Sequence, residues 1–339
     1  MRKPIVLLFS AFILSSCAVN MGYDGKAFKS SYESISAQDL KKHLYIVASD
    51  EIEGRATGSE GQKKAGKYLI SEYEKIGVSH PASMSNFYQK IPSAYFGNRR
   101  GVTHPESENI LAYIEGTEKL NELIVISAHY DHVGKNKDGV IYNGADDDGS
   151  GTVALLEIAE AFSKAKKDGK GPKRSILFLH VTAEEIGLQG SRYYTENPVF
   201  PLANTVVNLN IDMIGRSDPE NEGKDYVYVI GSEMLSSELK TINEAANNKT
   251  VKLELNYKYD DPADKMRLYY RSDHYNFAKN NVPVAFYFDG IHADYHKPTD
   301  TPDKIDYDLL QKRTQLVFAT AWELANRDNR IIVDGKNTR

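Results

Sequence analysis

The chain has 339 residues, of which 41% are hydrophobic and 26% are charged, so its length allows one large soluble α/β domain or two smaller ones. Its formal net charge of −5 does not predict a basic surface, so nucleic acid is not an expected partner. The single cysteine, Cys17, excludes an internal disulfide.

The N-terminus differs from the rest of the chain. Two basic residues precede an apolar run over residues 5–14, which is too short to span a bilayer and is typical of a secretory signal. The run ends in LSSC, which resembles a bacterial lipobox with Cys17 as the lipidated residue; a plain signal peptide is the alternative. We predict a lipoprotein signal peptide over 1–17, a tether over 18–37, and a lipid-anchored protein of the bacterial cell envelope, facing the periplasm or the cell surface.

Hydrophobic spacing predicts alternating helices and strands from residue 38 onward. Helices are predicted over 38–48 and 60–76, the second ending at Gly77. The strands expected after them are NILAYIEG, LIVISAH, SILFLHVT, NTVVNLNID, DYVYVIG, VKLELNY and PVAFYFDG. The expected helices are SGTVALLEIAEAFSKA, SSELKTINEAANN, DHYNFAKNN and a closing DYDLLQKRTQLVFATAWELAN. This order predicts an α/β fold, a three-layer α/β/α sandwich with a mixed, mostly parallel central sheet, in a single domain over 38–339.

Metal-competent side chains lie at or just beyond the C-terminal ends of four of these strands. In chain order they are His129 and Asp131, then Glu184 and Glu185, then Asp212, then His292 and His296. In open α/β sheets this edge is where ligands bind. Histidines and carboxylates without a thiolate suit a catalytic zinc, manganese or cobalt site.

Residues 143–151 read NGADDDGSG, with three consecutive aspartates between small residues. If Gly149 were the sixth residue of an EF-hand, Gly144 and Leu155 would occupy positions that require carboxylates, which excludes that calcium loop. A phosphate loop is excluded because aspartates repel phosphate and no lysine follows. Taken alone, the segment is equally consistent with a solvated acidic turn at a helix N-terminus. The other strand ends favour the metal site.

Strand alternation suggests separate roles for neighbouring residues. His129 and Asp131 are two apart and point the same way if the strand geometry persists, so one can bind metal while the other orients an imidazole. Glu184 and Glu185 are adjacent and point apart, so one can bind metal while the other acts as a general base. Metal-assisted hydrolysis needs this division of roles.

Six segments in order resemble the co-catalytic dizinc aminopeptidases, the bacterial leucyl-type enzymes in the same clan as glutamate carboxypeptidase II and glutaminyl cyclase. They are SAHYDHVG, NGADDDGSGT, TAEEIGLQGSRYY, NLNIDMIGR, RSDHYNFA and HADYHKPTDTPDKID. The resemblance covers about residues 40–325, and SDEIEGRATGSEGQKKAGKYL looks like the N-terminal signature of bacterial members. The interval between Ile76 and His129 leaves no room for the protease-associated insert of larger members.

The resemblance implies two zinc ions per chain, with manganese or cobalt as alternatives. The implied metal ligands are His129, Asp147, Glu185, Asp212 and His296. Asp147 would bridge the ions, Asp212 would pair with His129, and Glu185 would pair with His296. The family often has a cis peptide after the bridging aspartate, so one is expected between residues 147 and 148.

The resemblance also implies an exopeptidase that hydrolyses the N-terminal bond of a peptide with a free N-terminus, using a water activated by two zinc ions. Glu184 would be the general base and Tyr295 would stabilise the oxyanion. Asp131 would orient His129. Asp148, which stands where many relatives have asparagine, is a candidate contact for the substrate.

Other functions on the same fold stay open. A carboxypeptidase or another amidohydrolase would differ in its specificity loops, and a glutaminyl cyclase would need a single zinc. The transferrin receptor ectodomain is a catalytically inactive binding protein on this fold. Such a protein would lack metal ligands or the general base, and this sequence keeps both.

Structural roles are expected for several further polar residues. His180 is expected in the core, Ser272 in hydrogen bonds near the site, and Arg55 in a salt bridge that fixes its loop. For His132 and His292, which flank the site, an ordinary loop position and a contact within the site are both open.

Overall fold

The structure, a computed structural model, describes residues 22–23, 25–99 and 101–335. The predicted signal peptide, including Cys17, lies outside the described residues and stays a prediction. No helix within the described ranges is both long and apolar enough to cross a bilayer.

The described part of the chain forms twelve strands and nine α-helices. The strands are β1 (Tyr88–Ile91), β2 (Asn98–Arg99), β3 (Val102–Thr103), β4 (Ser107–Ile114), β5 (Lys119–His129), β6 (Gly134–Lys135), β7 (Ile141–Tyr142), β8 (Arg174–Val181), β9 (Thr205–Ile211), β10 (Tyr226–Ile230), β11 (Glu254–Asn256) and β12 (Val284–Phe288). The helices are α1 (Lys26–Tyr32), α2 (Ala37–Val47), α3 (Glu60–Ile76), α4 (Ser93–Phe96), α5 (Gly151–Lys167), α6 (Gln189–Glu196), α7 (Leu239–Lys249), α8 (His274–Ala278) and α9 (Tyr307–Asn326).

Eight strands form one mixed sheet in the order β1-β4-β8-β5-β9-β12-β10-β11. Its central strands β8, β5, β9 and β12 run parallel to one another. Antiparallel pairing begins on either side, at β4 and at β10. The short strands β2 with β3, and β6 with β7, pair outside this sheet. The predicted mixed, mostly parallel sheet is therefore confirmed.

Both faces of the central strands are covered by helices. On β5, Ile124 and Ile126 face the larger core, which contains side chains of α1, α2, α3, α5, α7 and α9. Val125 faces the smaller core, which contains side chains of α6 and α8. Burial on both faces explains why the strand reads as a continuous apolar run and not as an alternating one. The result is the predicted three-layer sandwich.

Local sequence signals set the ends of the helices. At the start of α3, the Ser59 hydroxyl accepts a hydrogen bond from the Gln62 N–H, which satisfies one of the free donors of the first turn. At its end, Gly77 has a φ of 77°, a left-handed conformation that glycine adopts without strain. The helix therefore has the bounds that the sequence predicts.

The segment assigned to the tether, 18–37, differs from the prediction. Its residues Lys26–Tyr32 form α1, and the buried Phe28 ring lies 5.8 Å from the Phe318 ring and 5.6 Å from the Trp322 ring of α9, measured between centroids. The sequence KAFKSSY hides this helix because only Phe28 and Ser31 are buried. The tether prediction is wrong over α1, and the folded domain begins before residue 38.

Candidate metal centre

The C-terminal ends of the four central strands meet at one edge of the sheet. Because β8, β5, β9 and β12 are parallel neighbours, the residues that follow them lie side by side. His129 is the last residue of β5, Asp212 follows β9, and Glu184 comes three residues after β8. The structure therefore brings together side chains that are far apart in the sequence.

His129, Asp147 and Asp212 form a first ligand group, whose ligand atoms lie within 4.8 Å of one another. His129 Nε2 is 3.2 Å from Asp147 Oδ1 and 3.5 Å from Asp212 Oδ1. This buried nitrogen has no hydrogen-bond partner among the described residues. The unpaired nitrogen and the two carboxylate oxygens converge on one point, where a cation would fit between them.

A second ligand group shares Asp147 and adds Glu185 with two imidazoles. His296 Nε2 is 2.9 Å from Asp147 Oδ2 and 3.2 Å from Glu185 Oε2. His132 Nδ1 lies 2.8 Å from Glu185 Oε1. The two oxygens of Asp147 thus face different groups, an arrangement that suits a bridging carboxylate.

The chemistry of the donors fits a divalent cation. Imidazole nitrogens and carboxylate oxygens without a thiolate suit zinc, manganese or cobalt. Asp147 Oδ2 and Glu185 Oε1 are buried and lack hydrogen-bond partners within the described residues, which is costly unless a cation compensates. Burial alone would lower the pKa of His296, but its contacts with these two carboxylates raise that pKa to about 10. The site is therefore strongly negative.

The aspartate run forms an irregular turn before α5. Gly144 has a left-handed φ of 57°, and the peptide bond between Asp147 and Asp148 is cis, as expected. Asp146 accepts a hydrogen bond from the Gly215 N–H at 2.7 Å and shapes the loop. Of the three aspartates, only Asp147 belongs to the ligand groups.

Asp148 does not reach the cleft, contrary to its predicted substrate contact. Its side chain is fully buried. Its carboxylate accepts hydrogen bonds from the backbone N–H groups of His129 (3.0 Å), Gly151 (2.9 Å) and Met213 (3.1 Å). The predicted contact is wrong, because these donors hold the carboxylate between β5, α5 and the end of β9.

Asp131 contacts both His129 of the first ligand group and the backbone of Glu184, the predicted general base. Its Oδ1 lies 3.7 Å from His129 Nδ1 and accepts a hydrogen bond from the Glu184 N–H at 3.2 Å. Its Oδ2 accepts a hydrogen bond from the Thr57 hydroxyl at 2.8 Å. The hydrogen-bond partner of His129 Nδ1 is the backbone carbonyl of Asp131 at 3.1 Å, so Asp131 orients the imidazole through its backbone, with its carboxylate nearby.

A cavity of about 40 Å³ opens beside the first ligand group. Its polar wall consists of His129, Asp147, Glu184, Asp212, Arg271 and Tyr295, and its apolar wall of Met213, Leu268, Phe286, Phe288 and Ile291. Burial, with the negative charges of Glu185 and Asp212, raises the pKa of Glu184 well above its ordinary value. Burial also raises the pKa of Tyr295, so its hydroxyl keeps its proton and can donate a hydrogen bond.

Arg55 has a different role from the expected salt bridge. Its fully buried guanidinium donates hydrogen bonds to four backbone carbonyls, those of Val47 (2.9 Å), Tyr130 (3.0 Å), Asn143 (2.7 Å) and Gly144 (2.8 Å). It therefore joins the chain after β5 to the loop that leads into the aspartate run. The sequence offers only a weak signal for this role, one arginine in a turn-rich loop.

Of the remaining polar residues, Ser272 and His180 have the expected structural roles, and the two histidines that the sequence left open differ from each other. The Ser272 hydroxyl donates to Asp212 Oδ2 at 2.6 Å, and His180 is fully buried in the core. His292 Nε2 lies 3.1 Å from Asp146 Oδ2, outside both ligand groups. His132, in contrast, lies in the second group.

A sequence profile of peptidase family M28 matches residues 109–321. Aminopeptidase YwaD of Bacillus subtilis (strain 168) is 27% identical over 241 residues, which cover 68% of this chain and 48% of that protein. The chain thus spans about half the length of this relative.

Solved structures share the fold. The LapA aminopeptidase of Legionella pneumophila superposes with a TM-score of 0.70 at 19% identity, over 97% of this chain and 81% of that chain. BSAP, a zinc aminopeptidase from Bacillus subtilis, superposes with a TM-score of 0.66 at 17% identity, over 86% of this chain and 96% of that chain. At these identities the likeness shows the architecture alone.

Proposed function

The chain belongs to peptidase family M28, and from this premise we propose that it is a zinc aminopeptidase acting on the free N-terminus of peptides. The observation that carries the proposal is the pair of ligand groups that share Asp147, beside a cavity lined by Glu184. The names of YwaD and BSAP describe aminopeptidases, which supports the same activity here.

We infer two metal positions. His129 and Asp212 would hold the first ion, His296 and Glu185 would hold the second, and Asp147 would touch both. Zinc supplies Lewis-acid chemistry, lowering the pKa of water and polarising a carbonyl, and manganese or cobalt would suit the same donors. The second group argues against a single-zinc cyclase, and the retained ligands and base argue against an inactive binding protein.

Residues beside the first ligand group carry out the proton transfer and stabilise the oxyanion. Glu184 takes a proton from the attacking water and passes it to the leaving amine. The Tyr295 hydroxyl donates a hydrogen bond to the developing oxyanion. Asp131 keeps the His129 imidazole in position through its backbone carbonyl and the backbone of Glu184 through its carboxylate.

The cavity supports a preference for apolar N-terminal residues. Its apolar wall includes Leu268, Phe286 and Phe288, whereas its carboxylates lie on the side of the ligand groups. An aliphatic or aromatic side chain of the N-terminal substrate residue can contact the apolar wall while the substrate ammonium group is attracted to the carboxylates. A blocked N-terminus would lose that attraction.

The experiment compares leucyl anilide with its N-acetylated form, after zinc loading and measurement of metal content by mass spectrometry. We expect two zinc ions per chain and hydrolysis of the free amine only. Glu184→Gln should keep both ions and lose roughly 10²- to 10⁴-fold in kcat. Glu160→Gln, which changes an exposed carboxylate on α5, should keep full activity.

Two results would overturn the proposal, and a third would overturn only the assignment of the base. Fewer than two ions with no turnover of either anilide would contradict a dizinc peptidase. Cleavage of the blocked anilide alone would indicate another amidase. Full activity in Glu184→Gln would show that the assignment of the base is wrong.

We also propose that a lipid on Cys17 anchors the protein in the bacterial cell envelope, facing the periplasm or the cell surface. The basic start, the short apolar run and LSSC support this location. Cys17→Ala should move the protein from the membrane fraction to the soluble fraction, and retention in the membrane would contradict the anchor.

A further inference from the structure

His132 is held in one orientation by the backbone around it. Its side chain is fully buried, and its backbone N–H donates a hydrogen bond to the Arg55 carbonyl at 3.1 Å. A Cβ at Gly144 would lie 2.5 Å from Cγ and Cδ2 of the ring, so only a glycine leaves room for the imidazole there. The ring therefore occupies a fitted space beside the second ligand group.

The ring nitrogens of His132 are unpaired although carboxylates are near. Nδ1 lies 2.8 Å from Glu185 Oε1 and 3.8 Å from Asp147 Oδ2. Yet His132 Nδ1 and Glu185 Oε1 both lack a hydrogen-bond partner among the residues described, because they are close but not aligned for a hydrogen bond. Two atoms that bind the same metal ion have this geometry, because each points at the ion and not at the other atom.

His296 approaches the same carboxylates from another side. The rings of His132 and His296 have centroids 5.7 Å apart and are inclined by 71°. Glu185 presents Oε1 to His132 and Oε2 to His296. The two histidine rings and the carboxylates of Glu185 and Asp147 thus surround one position. Four such donors are what a zinc ion prefers.

We propose that His132 is a further ligand, binding the second metal ion through Nδ1; this rests on the proposed two-metal site. The two positions then differ in chemistry. The first has one imidazole and two carboxylates, and the second has two imidazoles and two carboxylates. Because imidazole favours zinc and cobalt over harder ions, the second position holds its ion more tightly and releases it last.

The test uses the cobalt-substituted wild-type protein and counts hyperfine-shifted, solvent-exchangeable imidazole N–H signals by proton NMR. Three signals are expected, from His129, His132 and His296. If His132 only oriented Glu185 through a hydrogen bond, the protein would bind two cobalt ions and show two signals. That result would overturn the inference and leave the proposed function intact. Binding of fewer than two cobalt ions would instead contradict the proposed function.

Variants give a second readout by calorimetric titration with cobalt. His132→Ala and His132→Asn should each weaken one of the two binding events by at least about 10- to 100-fold and leave the other unchanged. Asparagine can replace a hydrogen bond from Nδ1 but not a metal bond, so rescue by His132→Asn would overturn the inference. His80→Asn, at a histidine outside the site, is the matched control and should titrate as the wild type does.

Discussion

His180 shows how strongly the interior of the sheet affects a titratable residue. It lies on β8 with its Nε2 2.7 Å from the Tyr73 hydroxyl, and burial lowers its pKa from 6.5 to about 3. Between these pH values the unfolded chain binds a proton that the folded chain does not. The free energy of unfolding must therefore fall as pH decreases through this window.

His180→Gln should make the protein less sensitive to acid, because glutamine accepts the Tyr73 hydrogen bond without titrating. Between pH 6 and 4, we expect the unfolding free energy of the wild type to fall more steeply than that of the variant, by up to about 1.4 kcal/mol per pH unit. Urea unfolding in EDTA at several pH values measures both slopes. His80→Gln, on a partly exposed histidine, is the control, and parallel slopes for wild type and His180→Gln would refute the prediction.

At the scale of elements, the ligands lie on irregular segments that need a common support. The chain after β5 and the loop before α5 are joined by only the two residue pairs of β6 and β7, so little regular structure fixes their distance. Arg55 adds a second link by donating to carbonyls in both segments, including those of Tyr130 and Gly144. A rigid planar guanidinium with five donors can do this, whereas an ammonium group on a flexible stem cannot.

Replacing Arg55 should therefore loosen the metal centre as well as the fold. Arg55→Met removes a donor from four buried carbonyls, of which that of Gly144 keeps its hydrogen bond from the Gly149 N–H. We expect a loss of about 3–5 kcal/mol in unfolding free energy, with weaker metal binding. Arg55→Lys should fall between this variant and the wild type, and it remains informative if Arg55→Met does not fold. Arg192→Met, which removes an exposed pair with Glu196, should cost less than about 1 kcal/mol. Unfolding and metal titration check all three, and equal effects of Arg55→Met and Arg192→Met would contradict a special role for Arg55.

At the scale of the whole molecule, the metal centre couples distant parts of the chain. The ligands come from the ends of β8, β5, β9 and β12 and from the turn before α5, so the unfolded chain has no preformed site. Any ion that binds only the folded state stabilises all of these strands together.

Zinc removal should therefore lower the melting temperature of the whole domain. At a free zinc concentration 100 times the dissociation constant, we expect about 2.7 kcal/mol of added stability, lost on treatment with EDTA. Glu184→Gln should retain this zinc-dependent shift because it keeps the ligands, whereas Glu185→Gln should lose most of it. Thermal unfolding across a zinc series measures the shift, and a melting temperature that does not change with zinc would contradict the coupling.

The sequence predicts most of what depends on periodicity and on order along the chain. The bounds of α3, the central strands and the residues at their C-terminal ends follow from apolar spacing. What it misses depends on contacts between distant segments. A single buried ring, Phe28, decides whether α1 folds, three backbone donors decide where Asp148 points, and the ring position of His132 depends on Gly144. Spacing along the chain carries no information on these contacts.

The placement of the ligands at four neighbouring strand ends also determines when a peptidase of this design can first act. The first group is complete once Asp212 has followed β9, but the second gains His296 only after β12. The whole centre therefore cannot assemble until more than 290 residues have been made and the strands have paired. During synthesis, the emerging chain holds scattered histidines and carboxylates but no centre that can cut. The complete centre is therefore a product of the finished sheet, and its formation is tied to the last steps of folding.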